Sequence, residues 1–338
     1  LIRFNNDILR EEFNNSVSSP REAILGVTWR CNARCKICSV WSRKSGTELS
    51  PEDYSALPPS LRQVSLGGYG EPFLRKDFYK IVEVIRKRCP RARIVIVTNG
   101  IMPDIIIRQV RKMPRDISIR ISLDGIGQTH DNVRGIKGAF EKAKKTLTLL
   151  REHGVKDLGI GLVISSLNDS EIEKVFDFTR ENNVSFTCTI VQSSEVTFGQ
   201  KDEYLPDPAR TTKAIEKVEA ALLKGFSVRD WATAYFLDGI RDQLKGNPRK
   251  IRCLAGKEFF YMDPSGDIFP CNILNMKMGA MHNGNFPSIA RENGKILDYV
   301  TNCPRQCWMT CTVTPSMMKR PLKPVMWTLR SRLFGPSF

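Results

Sequence analysis

From residue 22 onward, short apolar runs alternate with longer stretches whose apolar positions recur every three or four residues. Residues 23–29 (AILGVTW) read as a strand, and a helix is expected to begin near Ser50-Pro51. Residues 63–67 form a second strand leading into the glycines of GGYGEP. Residues 77–88 then carry Phe78, Ile81, Val82 and Ile85 at helical spacing. The run RIVIVT at 93–98 is a third strand, closed by the turn pair Asn99-Gly100. Strands at 117–123, 158–164 and 185–191 follow, with helices at 139–153 and 170–182. Near-continuous apolar strands separated by amphipathic helices require a parallel sheet covered on its faces. Six such units are too few for a closed eight-fold barrel. The expected fold class is therefore α/β, a partial (β/α)6 TIM-like barrel.

After Gln192 the pattern changes. Residues 207–224 read as a helix with a basic face, and 239–252 are polar and basic. Residues 259–262 and 267–269 flank Pro264-Ser265-Gly266 and read as a hairpin. The division this suggests is an N-terminal extension (1–22), the partial barrel (23–195) and a helical connector (196–252). A small C-terminal cysteine-rich domain (253–315) and a basic amphipathic tail (316–338) complete it.

Composition adds two constraints. Fifty-two Lys and Arg against 36 Asp and Glu give a net charge of +16. Beyond plain solubility, that excess implies an anionic partner: nucleic acid, phospholipid, nucleotide or phosphosugar. In the tail, Val325, Met326, Leu329 and Leu333 share one helical face beside Lys319, Arg320, Lys323, Arg330 and Arg332. Such a segment suits an anionic membrane surface, with a last helix docking on the barrel as the equal alternative. No apolar run is long enough to span a bilayer, and the first 20 residues do not read as a signal peptide. The expected location is cytoplasmic, with peripheral membrane contact. The numbering starts at Leu1 rather than Met, which leaves an upstream segment open. Only about 22 residues precede the first strand, too few for a fused peptide-recognition domain.

The ten cysteines are the second constraint. Cys89 and Cys188 stand alone in apolar surroundings and are expected in the core. Cys31, Cys35 and Cys38 form C-x3-C-x2-C in the loop after the first strand. Three thiolates can hold three corners of an iron–sulfur cube, leaving one iron open to a small chelating ligand. Zinc with a remote fourth ligand is the alternative, weakened because His130, His153 and His282 form no closely spaced pair. Cys253, Cys271, Cys303, Cys307 and Cys311 form a second group.

CNARCKIC, GGYGEP, TNG and SLDG follow the first four strands in order, and over residues 23–192 the chain resembles the radical S-adenosylmethionine (radical SAM) superfamily. The resemblance implies a [4Fe–4S] cluster on Cys31, Cys35 and Cys38. S-adenosylmethionine would chelate its open iron and be cleaved to a 5′-deoxyadenosyl radical. It further implies that Gly67, Gly68 and Glu71 meet the cofactor's amino group. Ser122 and Arg134 would meet its carboxylate or ribose, and Asn99 would lie at the mouth of the third strand. Ile37 departs from the family, which places an aromatic residue before the third cysteine.

The second cysteine group resembles the SPASM extension or its shorter twitch form. This implies an auxiliary [4Fe–4S] cluster on Cys253, Cys271, Cys303 and Cys307, with Cys311 able to replace either of the last two. A zinc ribbon is the competing reading. Asn272 stands where the sulfatase-maturing branch has an Asp base, which argues against that activity. The function expected is hydrogen abstraction from an unactivated C–H bond of an anionic or lipid-like substrate, with flavodoxin or ferredoxin as reductant. Peptide maturation and small-molecule dehydrogenation are the alternatives within the family. Nucleic-acid modification is a further one, and a non-catalytic zinc or iron–sulfur protein is the alternative outside it.

Overall fold

A computed structural model describes residues 19–43, 46–195, 197–281 and 286–335. Six strands lie side by side in chain order and all parallel: β1 (Glu22–Leu25), β2 (Gln63–Leu66), β3 (Arg93–Thr98), β4 (Ser118–Ser122), β5 (Asp157–Ile164) and β6 (Ser185–Ile190). The helices between them are α1 (Phe78–Arg88), α2 (Pro103–Val110), α3 (Gln128–Arg134), α4 (Ala139–Glu152) and α5 (Ile172–Glu181). This is the α/β partial barrel that the alternating pattern predicts.

The expected helix near Ser50 is not there. Residues Glu52–Ala56 make only a 3-10 turn, because Pro58 and Pro59 follow at once and bias the chain out of the helical region. The structure instead adds α2, which starts on Pro103 and buries Ile106, Ile107 and Val110. Cys89 and Cys188 are both buried in the apolar core.

Beyond the barrel, α6 (Pro208–Lys224) is capped by Asp207, whose side chain accepts from the Arg210 amide. It packs on α7 (Val228–Leu244), a helix missed by periodicity. The cause is visible in its burial. Ala234, Tyr235, Phe236, Leu237, Asp238, Gly239, Ile240 and Arg241 are consecutive and all buried, so no single apolar stripe marks the helix. The hairpin strands β7 (Phe259–Met262) and β8 (Asp267–Phe269) form as expected, and β8 pairs with β9 (Gly279–Ala280). β7 also pairs in parallel with β1, Leu25 opposite Met262, so one nine-stranded sheet runs β6-β5-β4-β3-β2-β1-β7-β8-β9. All four β7 residues, FFYM, are buried. Four helices follow: α8 (Phe286–Glu292), α9 (Gly294–Thr301), α10 (Thr310–Lys319) and α11 (Leu322–Phe334). Among the described residues, no helix is long and apolar enough to cross a membrane.

Candidate functional site

The loop after β1 is held from three sides. The Thr28 hydroxyl and Trp29 amide both donate to Glu48 Oε1, at 2.6 and 3.0 Å. The Arg34 and Lys36 amides donate to the carbonyls of Arg134 and Val133 at the end of α3. Gly70, at φ +61°, lets the β2 loop approach so closely that a Cβ would lie 2.4 Å from Thr28 O. This clamping brings Cys31, Cys35 and Cys38 into the wall of one cavity of about 190 Å³.

The rest of that wall comes from the carboxyl ends of neighbouring strands. Gly67 to Glu71 follow β2, Val97 to Asn99 close β3, Ser122 ends β4, and Thr189 to Gln192 end β6. All six cofactor positions expected from the sequence (Gly67, Gly68, Glu71, Asn99, Ser122 and Arg134) lie on this cavity. Gly67 has φ +130°, and a Cβ there would meet Val97 O at 2.6 Å, so the strand end stays bare. Ile37 also lines the cavity and is buried.

Three of these side chains are already engaged with the protein. Glu71 accepts from Thr98 Oγ1 and from the Asn99 amide, both at 2.8 Å. Burial pushes its carboxyl up to about 7, against the hydrogen bonds from Asn99, Thr98 and Phe73. Its visible work is to fasten the β2 loop to the end of β3. Asn99 Nδ2 donates to Asn32 Oδ1 at 2.8 Å, tying β3 to the cysteine loop. Arg134 pairs with fully buried Asp124 at 2.8 Å and sets Nη1 3.7 Å from Cys35 Sγ. Its Nε is buried and has no hydrogen-bond partner among the described residues.

The donor set fits an iron–sulfur centre. Burial, then the charges of Glu71, Cys35 and Cys38, push Cys31 up to about 12, against the Ala33 amide. Burial likewise pushes Cys38 up to about 11 and raises Cys35. Three adjoining thiols, Cys35 buried and Cys31 and Cys38 half-buried, favour the neutral form on their own, and a cationic metal centre would draw them to thiolates. The Arg134 Nε and the bare glycine edge suit the carboxylate and amino ends of a zwitterionic small molecule beside them. The histidine expectation for zinc weakens further. His130 accepts from the Asp124 amide at 2.9 Å, and burial holds it down to about 3. His153 lies in another pocket, near Met113, and His282 lies outside the described residues.

A second cavity, of about 330 Å³, is lined by Cys253, Cys271, Cys303 and Cys307. Burial pushes Cys271 up to about 12 and Cys307 up to about 11. Cys311 is not on that wall. Its thiol lies 3.9 Å from Asn272 Oδ1 and packs on the same apolar cluster as Cys253 and Cys303. Among the described residues, no three His, Cys, Asp or Glu side chains gather closely enough for a single metal ion.

Sequence reading missed the residues that hold these cysteines. Arg249 donates to Ile251 O at 2.6 Å, Thr312 O at 2.6 Å and the carbonyl of Cys307, and stacks over Trp308 at 5.4 Å. Trp308 donates from Nε1 to Phe236 O of α7 at 2.7 Å and lies directly over Gly239. The run of basic residues around 249 gave no sign of this, since a clamp on carbonyls leaves no spacing in the sequence. Among the described residues the two cavities have no lining residue in common, but cysteines of both groups pack against one apolar cluster. One apolar cluster contains Cys271 and Met309, with Cys31, Cys38, Cys253, Cys303 and Cys311 packed against it, and Met309 lines the first cavity.

Comparison with known proteins agrees with this geometry. Residues 26–179 match the family model of the radical SAM superfamily. The chain is 33% identical over 174 residues to a Fe-coproporphyrin III synthase of Methanosarcina barkeri, covering 49% of this chain and 42% of that protein. It is 25% identical over 276 residues to the mycofactocin maturase MftC of Mycolicibacterium smegmatis, covering 78% of this chain and 67% of that one. The chain thus spans less than half of the first relative and about two thirds of the second. The fold matches that of anSMEcpe with bound AdoMet and Cp18Cys peptide. The TM-score is 0.63 at 15% identity, covering 92% of this chain and 99% of that one.

Proposed function

We propose, from the premise that this chain is a radical SAM enzyme, that it modifies a peptide, with a second iron–sulfur cluster assisting. The observation that carries the proposal is the largely apolar, uncharged wall of the first cavity, to which the C-terminal cysteine segment contributes Met309. Met309, two residues from Cys307, lines the cavity of Cys31, Cys35 and Cys38. A substrate in that cavity would therefore lie against the first cysteine group and against Met309 of the segment that carries the second.

In this reading Cys31, Cys35 and Cys38 hold the first cluster, and Cys253, Cys271, Cys303 and Cys307 the second. Gly67, Gly68, Asn99, Ser122 and Arg134 seat S-adenosylmethionine, with Glu71 keeping the β2 and β3 ends together. When bound, cluster and cofactor supply one-electron cleavage of a sulfonium, with abstraction of a substrate hydrogen. The chain's own residues supply enclosure. Ile37, Val163, Ile190, Phe198 and Met309 make the wall apolar and exclude water. Thr189 and Gln192 offer neutral hydrogen-bonding groups of the kind a peptide backbone uses.

The same wall argues against the anionic, lipid-like substrate expected from net charge. Among its described residues Arg134 is the one cation, paired with Asp124 and, in this reading, given to the cofactor's carboxylate. An anionic headgroup would find no free counter-charge, and a neutral peptide needs none. MftC, a maturase by name, and the anSMEcpe complex with a peptide support the peptide reading. A second reading, action on a tetrapyrrole, draws on the 33% identity to Fe-coproporphyrin III synthase.

The test is anaerobic reconstitution with iron and sulfide, then dithionite or reduced flavodoxin and S-adenosylmethionine. Formation of 5′-deoxyadenosine is expected, and a colourless zinc protein would end the proposal. Peptide and porphyrin extracts of cells with and without the protein are then compared by mass. A change confined to a peptide supports the first reading, and one confined to a porphyrin replaces it by the second.

A further inference from the structure

The C-terminal helix α11 is packed the wrong way round. A surface helix normally buries its apolar stripe and exposes its polar side. In α11, Thr328 and Ser331 are the fully buried positions, with Trp327 half-buried against Tyr235 of α7 at 5.5 Å. The apolar stripe faces outward. Leu322 is 74% exposed, Met326 69%, Leu329 57% and Leu333 76%. These residues, spaced at three to four, make one continuous ridge along the helix. The ridge gains from the turn between α6 and α7, where Phe226 and Val228 are 82% and 75% exposed. Arg332 joins the two by donating to Gly225 O at 2.8 Å and lying over the Phe226 ring at 4.6 Å.

Charge selects the occupant. Residues 299–338 contain Arg305, Lys319, Arg320, Lys323, Arg330 and Arg332 and no Asp or Glu. On α11, Lys323 and Arg330 flank the ridge on one side and Arg332 on the other, by helical position. A second copy meeting this face about a two-fold axis would set these cations against one another. An anionic bilayer would take the ridge into its interfacial region and the flanking cations at its headgroups.

We infer that the outward face of α11 docks this protein on an anionic membrane surface. The face is not part of the catalytic cavity, so the inference stands apart from the substrate proposal. It concerns where the enzyme works.

The experiment is sedimentation of the full chain with vesicles of phosphatidylcholine alone or with phosphatidylglycerol added, at low and high salt. The wild type is expected to pellet with the anionic vesicles, to stay in solution with the neutral ones, and to be released by salt. Met326→Asp combined with Leu329→Asp should weaken anionic-vesicle binding at least tenfold. Both positions are exposed, so gel filtration and melting should match the wild type. An Arg330→Glu, Lys323→Glu pair should weaken binding with the ridge intact. Wild type that stays in solution with both vesicle types overturns the inference. So does a double-Asp variant that binds as well as wild type, or a wild-type dimer that the same variant breaks without vesicle binding.

Discussion

Replacing Gly239 by alanine separates local propensity from tertiary packing, because the two predict opposite signs. Gly239 lies inside α7, where Gly→Ala ordinarily stabilises by about 0.5–1 kcal/mol. Here a Cβ would fall 2.0 Å from Trp308 Cε2, 2.2 Å from Cζ2 and 2.5 Å from Nε1, where ordinary contact begins at 3.4 Å. The indole must retreat by more than 1 Å. It has no room to do so, being buried, bonded to Phe236 O, stacked by Arg249 and packed on Phe236 at 6.1 Å. Overpacking of this kind costs about 1–3 kcal/mol, and losing the indole hydrogen bond adds about 1 kcal/mol. After the helix gain, Gly239→Ala should destabilise by about 2 kcal/mol. Urea denaturation of the metal-free chain measures it. Since Trp308 adjoins Cys307, the reconstituted variant should also lose auxiliary-site iron. Trp308→Phe gives the ring room, so the double variant should recover at least about 1 kcal/mol of coupling. A Gly239→Ala chain as stable as wild type, or a cycle with no coupling, refutes the seating of the cysteine loop on α7.

Three further outcomes follow from the same geometry. Cys35→Ala should abolish 5′-deoxyadenosine formation while the C-terminal cysteines retain iron, read by iron assay and electron paramagnetic resonance. Arg249→Met removes the hydrogen bonds to the carbonyls around Cys307. It should cost about 3 kcal/mol and empty the auxiliary site with the first cluster's signal intact, the reverse pattern. At the other end of the barrel, burial works to raise the Asp157 carboxyl, but Ser118, Arg120 and Arg93 outweigh it and hold it well below the usual range. A depressed carboxyl contributes stability above its unfolded value near pH 4, lost as pH falls through the folded one. Asp157→Asn should therefore destabilise by about 1–3 kcal/mol at pH 7 and by less at pH 3, in urea titrations of the metal-free chain.

What could be read from the sequence follows from how each feature is encoded. The strands were legible because burial on both faces leaves uninterrupted apolar runs such as RIVIVT. The cysteine loop was legible because three thiols that converge on one cavity from one short segment keep a fixed spacing. Features that depend on distant segments left no such mark. Arg249, Trp308 and Gly239 act only together and lie up to 69 residues apart. Asp124 is visible in SLDG, but its pairing with Arg134, and Arg134's approach to Cys35, are facts of the fold. The expected hairpin was correct locally. That its first strand would extend the barrel's own sheet beside β1 could not be read, because parallel pairing across more than 200 residues carries no local signal.

The tail shows the limit of periodicity most sharply. Spacing correctly groups Val325, Met326, Leu329 and Leu333 on one face, and it correctly predicts a helix. It does not say whether that face is turned in or out. The decision depends on what the rest of the molecule offers as a neighbour. α7 already packs on α6, and small Thr328 and Ser331 with the edge of Trp327 suffice to seat α11 on it. With the inward contact satisfied by those residues, the apolar ridge has no intramolecular partner among the described residues. A basic segment without acidic residues leaves an anionic surface as the partner of matching charge. The net positive charge, which first suggested an anionic substrate, is thus better matched to the outside of the molecule than to its cavity, where Arg134 is paired and the wall is apolar.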